Sequence, residues 1–248
     1  MSVPTGGNRS CVVKKPRKHR MRASRKCGQH AHHELRISFK KLAWAEHLDR
    51  DPMNFISHIE TGIVCIAEDR EEGPIVGEIS AALVEVDRAL RMNQSLYDVF
   101  DSYSHTWQFY EALTSEHSNL IDALEHYTEG LALKHDVLLL TTIQIEPPHR
   151  GKRLGLYATA SFIEQFREHC GLVMCQPYPM QFGPMFEEEK WRRRYGAGLG
   201  LKDQPAAFTK VQNYWRELGF REIGETGFML MSPDDLDQAE IIDELTTD

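Results

Sequence analysis

The residues best placed to do chemistry lie in one short run, Glu146-Pro147-Pro148-His149-Arg150-Gly151-Lys152-Arg153-Leu154-Gly155. Arg150, Lys152 and Arg153 bring three cations, and Gly151 and Gly155 bring backbone freedom, to a single turn. Before the turn stands the nearly continuous apolar run Asp136–Ile145 (DVLLLTTIQI), which reads as a strand buried on both faces at the centre of a sheet. After it, Leu156, Ala160, Ile163 and Phe166 recur at helical spacing. A helix N-terminus presents unpaired N–H donors and a partial positive charge. Glycine lets the main chain approach a ligand closely. The unit strand, basic turn, helix therefore suits a phosphate or pyrophosphate. It is neither a Walker A loop nor a dinucleotide fingerprint, because no G-x-x-x-x-G-K-[ST] and no G-x-G-x-x-G occurs. A basic surface turn that only caps a helix is the alternative.

Other reactive side chains are scattered. The five cysteines (Cys11, Cys27, Cys65, Cys170, Cys175) have no framework spacing, so reduced thiols in a cytoplasmic protein are expected. Cys175 has no histidine partner in the sequence, so covalent catalysis is not expected there. Cys11, Cys27, His30 and His32 or His33 form a weak zinc pattern, and no metal is expected. His135 and His149 are candidate bases, a solvated loop histidine being the alternative for each.

The elements that would position the turn follow from periodicity. Leu35, Ile37 and Phe39 alternate as a strand, and Lys40 to Asp49 read as helical. Thr61–Asp69 and Ile75–Asp87 flank the turn Glu71-Glu72-Gly73-Pro74 as a hairpin. Residues 90–131 read as amphipathic helix, with Tyr97, Phe100, Tyr103, Trp107 and Tyr110 as a packing stripe. Gly171–Cys175 is a short strand, Ala206–Leu218 a helix stopped by Gly219, and Thr226–Met231 a closing strand. Residues 176–204 are irregular. Their runs Glu187–Glu189 and Arg192–Arg194 suit either a lid or a solvated helical excursion.

Charge divides the 248-residue chain. Residues 1–33 carry nine Lys or Arg and no acid, whereas the remainder nets −17. The basic stretch is too poor in apolar residues to build a core and is expected to be a disordered tail. A nucleic-acid arm over residues 14–26 and a transit peptide are the competing readings of it. No run of 18 apolar residues exists, so no membrane span is expected.

The run Ile143–Gly155 (IQIEPPHRGKRLG) resembles the acetyl-CoA signature of the GNAT superfamily of N-acetyltransferases, in which an apolar-x-Pro strand end precedes Arg/Gln-x-x-Gly-x-Gly/Ala at a helix start. Ile145-Glu146-Pro147, Arg150 and Gly155 match, and Arg153 stands where the central glycine is usual. Asn213–Phe220 (NYWRELGF) followed by Thr226–Met231 resembles the penultimate helix, Leu-Gly-Phe turn and final strand of the same family. The resemblance spans residues 34–231. It implies one α/β (α+β) domain over 34–232, with a mixed, mostly antiparallel sheet flanked by helices and splayed central strands. Helical insertions would fall near 90–131 and 182–204, and 233–248 would be an acidic tail.

The resemblance further implies acetyl-CoA as co-substrate and an amine acceptor, either a small molecule or a protein. The backbone of Ile143, Gln144 and Ile145 would pair with the pantetheine arm. The N–H groups of Arg150, Gly151, Lys152, Arg153, Leu154 and Gly155 would hold the pyrophosphate. The family's usual tyrosine position is Trp215 here, and its usual cofactor-contacting asparagine is Phe208. Tyr214, one residue away, is the candidate acid, with packing as its alternative. Glu146 is the candidate base. A non-catalytic acyl-CoA-binding module and a nucleic-acid-associated acetyltransferase stay open as other functions. Acceptor identity and oligomeric state are not implied.

Overall fold

A computed structural model describes residues 25–26, 32–41, 51–67, 73–128, 134–199 and 203–236. Its frame is one sheet. The strands are β1 (Arg25–Lys26), β2 (His32–Lys41), β3 (Ile56–Ala67), β4 (Ile75–Val84), β5 (Val137–Ile145), β6 (Leu172–Cys175), β7 (Arg221–Glu222) and β8 (Met229–Met231). They are ordered β1-β2-β3-β4-β5-β6-β8-β7. Every pairing is antiparallel except β5 with β6. The fold is mixed α/β, with a mostly antiparallel sheet flanked by helices.

The helices are α1 (Val86–Arg91), α2 (Leu96–Asp101), α3 (Ser104–Thr114), α4 (Leu120–Tyr127), α5 (Leu154–Glu164), α6 (Glu189–Tyr195) and α7 (Gln204–Glu217). The stretch expected as helix over 90–131 is thus broken into short pieces. Ser95 and Asn119 restart it by accepting from the N–H of Asp98 at 3.3 Å and of Asp122 at 3.0 Å. The helix expected over 40–49 does not begin at Lys40. Lys40 and Lys41 continue β2 and pair with Glu60 and Ile59, while 42–50 lie outside the described residues.

Strand alternation builds a core on each face. Leu138, Leu140, Val173, Cys175, Met229 and Met231 face α5 and α7, where they meet Tyr157, Phe162, Trp215 and Phe220. Val137, Leu139, Leu172, Met174 and Leu230 point the other way, toward Phe100, Phe109, Leu113 and Leu124 of α2 to α4. This double burial is why Asp136–Ile145 reads as an unbroken apolar run. Of the expected basic tail, only β1 and the first residues of β2 are described. Arg25, Lys26, His32 and His33, expected in a disordered tail, instead pair as strand, so the sheet begins ahead of residue 34. The rest of residues 1–33, with residues 14–24 of the possible nucleic-acid arm and Cys11, Cys27 and His30 of the zinc pattern, lies outside the described residues, as does 237–248.

Candidate functional site

The sheet forks in the middle of β5. Its first four residues pair with β6, from Val137 with Leu172 to Leu140 with Cys175. At Thr141 the register against β4 slips: Ala81 faces Leu140, but Ser80 faces Thr142. Thr141 is the extra residue of a β-bulge, and its hydroxyl donates to the Ser80 carbonyl at 2.9 Å. Beyond it, Thr142 to Ile145 stay on β4, while the chain after Cys175 leaves the sheet. The bulge increases twist where pairing with β6 ends, and so opens the carboxyl ends of two parallel strands. That is the usual place for a ligand in a sheet with a helical crossover.

The basic turn stands at the mouth of this fork. Pro147–His149 form a single 3-10 turn, Gly151 takes φ +74°, and α5 begins at Leu154. No side chain caps α5. Its N-cap is Arg153, in the left-handed region at φ 53° and ψ 13°. Glycine reaches this conformation at little cost, whereas a side chain costs about 1–2 kcal/mol there. The residue that departs from the sequence pattern is therefore the residue that carries the turn's strain.

The three cations of the turn serve the protein itself. The Arg150 guanidinium donates to the carbonyls of Ile145 at 2.8 Å, Ala197 at 2.8 Å and Tyr195 at 2.5 Å. Its backbone N–H closes the turn onto Pro147 O at 3.3 Å. Desolvation lowers the guanidinium's pKa. Arg153 pairs with Glu217 of α7 at 3.0 Å. Lys152 is exposed on the rim and also makes an interaction of its own. Gly151 has open space where a Cβ would stand, and Leu154 and Gly155 are the first residues of α5.

The glycine at 155 has a specific neighbour. A Cβ there would lie 3.0 Å from the Tyr214 hydroxyl and 3.5 Å from Ile145 Cγ1. The Tyr214 ring thus reaches from α7 to the first turn of α5, and its oxygen sits 3.1 Å from Thr159 Oγ1. Thr159 in turn donates to the Gly155 carbonyl at 2.7 Å. Burial raises the phenol's pKa, with the neighbouring Cys175 and Glu217 adding to the rise and the Thr159 hydrogen bond opposing it. A neutral hydroxyl is thereby held beside Ile145 and near Cys175, the ends of the two diverging strands. Trp215 packs edge-on against Phe220 and Tyr214 in the core.

Glu146 is occupied. Arg194 of α6 donates Nε to Glu146 at 2.7 Å and NH1 to Glu78 at 2.6 Å, across the end of β4 and β5. Trp191, one helical turn earlier, donates its indole N–H to Gln144 Oε1 at 2.9 Å, so the Gln144 side chain is locked although its strand edge faces the fork. Trp191 and Tyr195 are buried. Trp191 and Tyr195 thus strap α6 to the ends of β4 and β5, while 187–190 and 192–194 stay exposed and Arg193 pairs with Glu189 four residues earlier, as a solvated helical excursion would. His135 bonds Asp87 at 2.8 Å at the other end of β5, about 30 Å of strand away from Glu146. Cys175 is fully buried, and burial pushes its thiol well up, so it is no nucleophile.

The fork thus gathers Ile143, Gln144, Ile145, Glu146, the turn 150–155 and Tyr214. The partners that single-residue reading misses are Thr159, Trp191 and Arg194. Thr159 lies four residues after Gly155, the spacing at which a threonine back-bonds to a carbonyl one turn earlier, a usable signal. The strap's contacts join residues 47 and 48 apart, and no local pattern announces them. Among the described residues, no group of three or more His, Cys, Asp or Glu side chains is placed to hold a metal, and no helix is long and apolar enough to cross a membrane. Comparison with protein-family models, with curated proteins and with solved structures finds no match.

Proposed function

We propose that this chain is an acetyl-CoA-dependent N-acetyltransferase, acting on a primary amine of a small molecule or protein. The observation that carries the reading is the fork at Thr141, with an uncapped helix start at its mouth and the Tyr214 hydroxyl beside it. Together these match the two stretches, 143–155 and 213–220, that resemble the GNAT superfamily. In this reading the edge of Thr142–Ile145 turned away from β4 pairs with the pantetheine amides, except at the Ile145 carbonyl, which Arg150 already holds. Main-chain donors from Gly151 to Gly155 face the pyrophosphate. The co-substrate supplies an acyl group activated as a thioester. The protein's own part is to orient it along the strand edge, exclude water, and hold a proton at Tyr214 Oη for the departing sulfur. The net −17 of residues 34–248 favours a cationic acceptor, and the absence of any framework cysteine spacing favours a cytoplasmic setting.

Thermal unfolding with acetyl-CoA tests the reading. Ligand at a hundred times Kd stabilises by about 2.7 kcal/mol, and no shift at millimolar acetyl-CoA overturns it. The engagement of Glu146 by Arg194 favours a second reading, a module that binds acyl-CoA without turnover. Stabilisation without CoA release across a panel of primary amines would select that one.

A further inference from the structure

We infer that Thr159 is a positioning residue for the transferred proton, its single hydroxyl hydrogen switching between the Gly155 carbonyl and the Tyr214 oxygen. The inference rests on the acetyltransferase reading above. Thr159 is fully buried in α5 and lies within hydrogen-bond distance of both oxygens, at 2.7 and 3.1 Å. A threonine hydroxyl carries one hydrogen and can also accept. At 2.7 Å its hydrogen belongs to Gly155 O, a bond of ordinary O–H···O length. Tyr214 must then be the donor to Thr159, across a bond longer than the usual 2.7–2.8 Å. The phenol's proton is held loosely, on the side of α5 that faces the ends of β5 and β6.

The arrangement matters when the proton leaves. The amine nitrogen bonds the thioester carbon, the C–S bond breaks, and the sulfur's electron pair takes the proton from Tyr214 Oη. The enclosed phenolate then needs a donor, because a buried unpaired anion is costly. Rotation of the Thr159 hydroxyl from Gly155 O to Tyr214 Oη supplies it, and leaves a helical carbonyl that other N–H groups of α5 can serve. The phenolate regains its proton from the acceptor's ammonium nitrogen through water. Thr159 never touches the reacting atoms. It acts through Tyr214, as the one neighbour that opposes the effect of burial on the phenol.

Calorimetric titration with CoA and with desulfo-CoA, which lacks the sulfur, reads this contact without an acceptor. A thiolate stabilised by a hydrogen bond is favoured at high pH, so CoA should gain on desulfo-CoA by about tenfold from pH 7 to pH 9. Thr159→Ser should keep that gain. Thr159→Val should reduce it to within about twofold while binding desulfo-CoA as the unmodified protein does, and Tyr214→Phe should reduce it as far. An undiminished gain in Thr159→Val overturns the inference and leaves the acetyltransferase reading standing. A loss of desulfo-CoA binding in Thr159→Val equal to its loss of CoA binding makes the residue merely structural, and also overturns it. If the unmodified protein binds neither ligand, the acetyltransferase reading falls and takes the inference with it.

Discussion

Gly155→Ala should destabilise the protein, and Tyr214→Phe should reverse the sign. Glycine inside a helix normally costs about 0.5–1 kcal/mol relative to alanine, so the substitution alone would stabilise α5. Against that stands a methyl group placed 3.0 Å from the Tyr214 hydroxyl, 3.5 Å from Ile145 Cγ1 and 3.6 Å from Tyr214 Cε2. The hydroxyl cannot retreat freely, because Thr159 and the base of α5 hold it. Overpacking of this kind costs about 1–3 kcal/mol, which leaves a net loss of about 1 kcal/mol. Tyr214→Phe removes the nearest atom and also leaves Thr159 its bond to Gly155 O. In that background Gly155→Ala should become neutral or stabilise by about 0.5 kcal/mol, a coupling of about 1.5 kcal/mol across the cycle. Urea unfolding of the four proteins, with m-values compared, measures it. A Gly155→Ala protein more stable than the parent, with Tyr214 intact, refutes the placement of the phenol against the helix start. It would also remove the packing argument for Gly155 and return that glycine to a ligand-facing role alone.

Three further outcomes follow from other parts of the molecule. Arg153→Gly should relieve about 1–2 kcal/mol of left-handed strain while losing side-chain contacts that include the partly exposed pair with Glu217, so a modest net stabilisation in urea is expected. Asp136 is pushed up to about 6 from an ordinary 3.8, first by burial, although Asp87 N–H donates to it at 2.9 Å. Because the folded value lies above the unfolded one, this group's stabilisation is complete below pH 4 and is lost as pH rises through 6. With partial exposure discounted the span is about 1–2 kcal/mol, and Asp136→Asn should flatten the decline between about pH 4 and 6 in urea titrations. Arg150→Lys should leave two of three carbonyls unserved and cost about 1–3 kcal/mol, read as faster amide exchange over 195–199.

The sheet was largely legible because its signals are local. Asp136–Ile145 announces a two-faced strand by composition, whereas periodicity alone passes over the side-chain caps Ser95 and Asn119 that break 90–131 into pieces. The fork was legible only by resemblance. The bulge at Thr141 comes from how β4 and β5 register, and nothing in the run Leu140-Thr141-Thr142 distinguishes it from regular alternation. Tyr214 was named from its place beside Trp215, but its partners were not, since Thr159 is 55 positions distant. The strap was read as charge runs because its buried residues, Trp191 and Tyr195, are interleaved with arginines whose partners lie on β4 and the end of β5. Residues 40–41 went the other way: lysines at a strand end carry no β signal, and pairing with β3 decided them.

The cations of the turn, counted from sequence, suggested a positive island for a pyrophosphate. Their contacts revise what such a ligand would meet. Arg150 spends its guanidinium on three carbonyls, and Arg194 spends its own on Glu78 and Glu146, so two arginines bind turn, strand and strap to one another from opposite directions. A carbonyl is a neutral acceptor and a phosphate oxygen is charged, and charge-assisted bonds are about twice as strong. An anion near Arg150 would therefore compete with Tyr195 O and Ala197 O, and winning would loosen the strap that locks Gln144 through Trp191. The arrangement is stable as it stands only if the anion is taken by main-chain donors of Gly151 to Gly155 and the start of α5. That role suits a turn in which both Gly151 and Arg153 take positive φ, a conformation found in anion-binding nests. On this argument the arginines of the turn shape the site, and a pyrophosphate held there would meet the backbone between them.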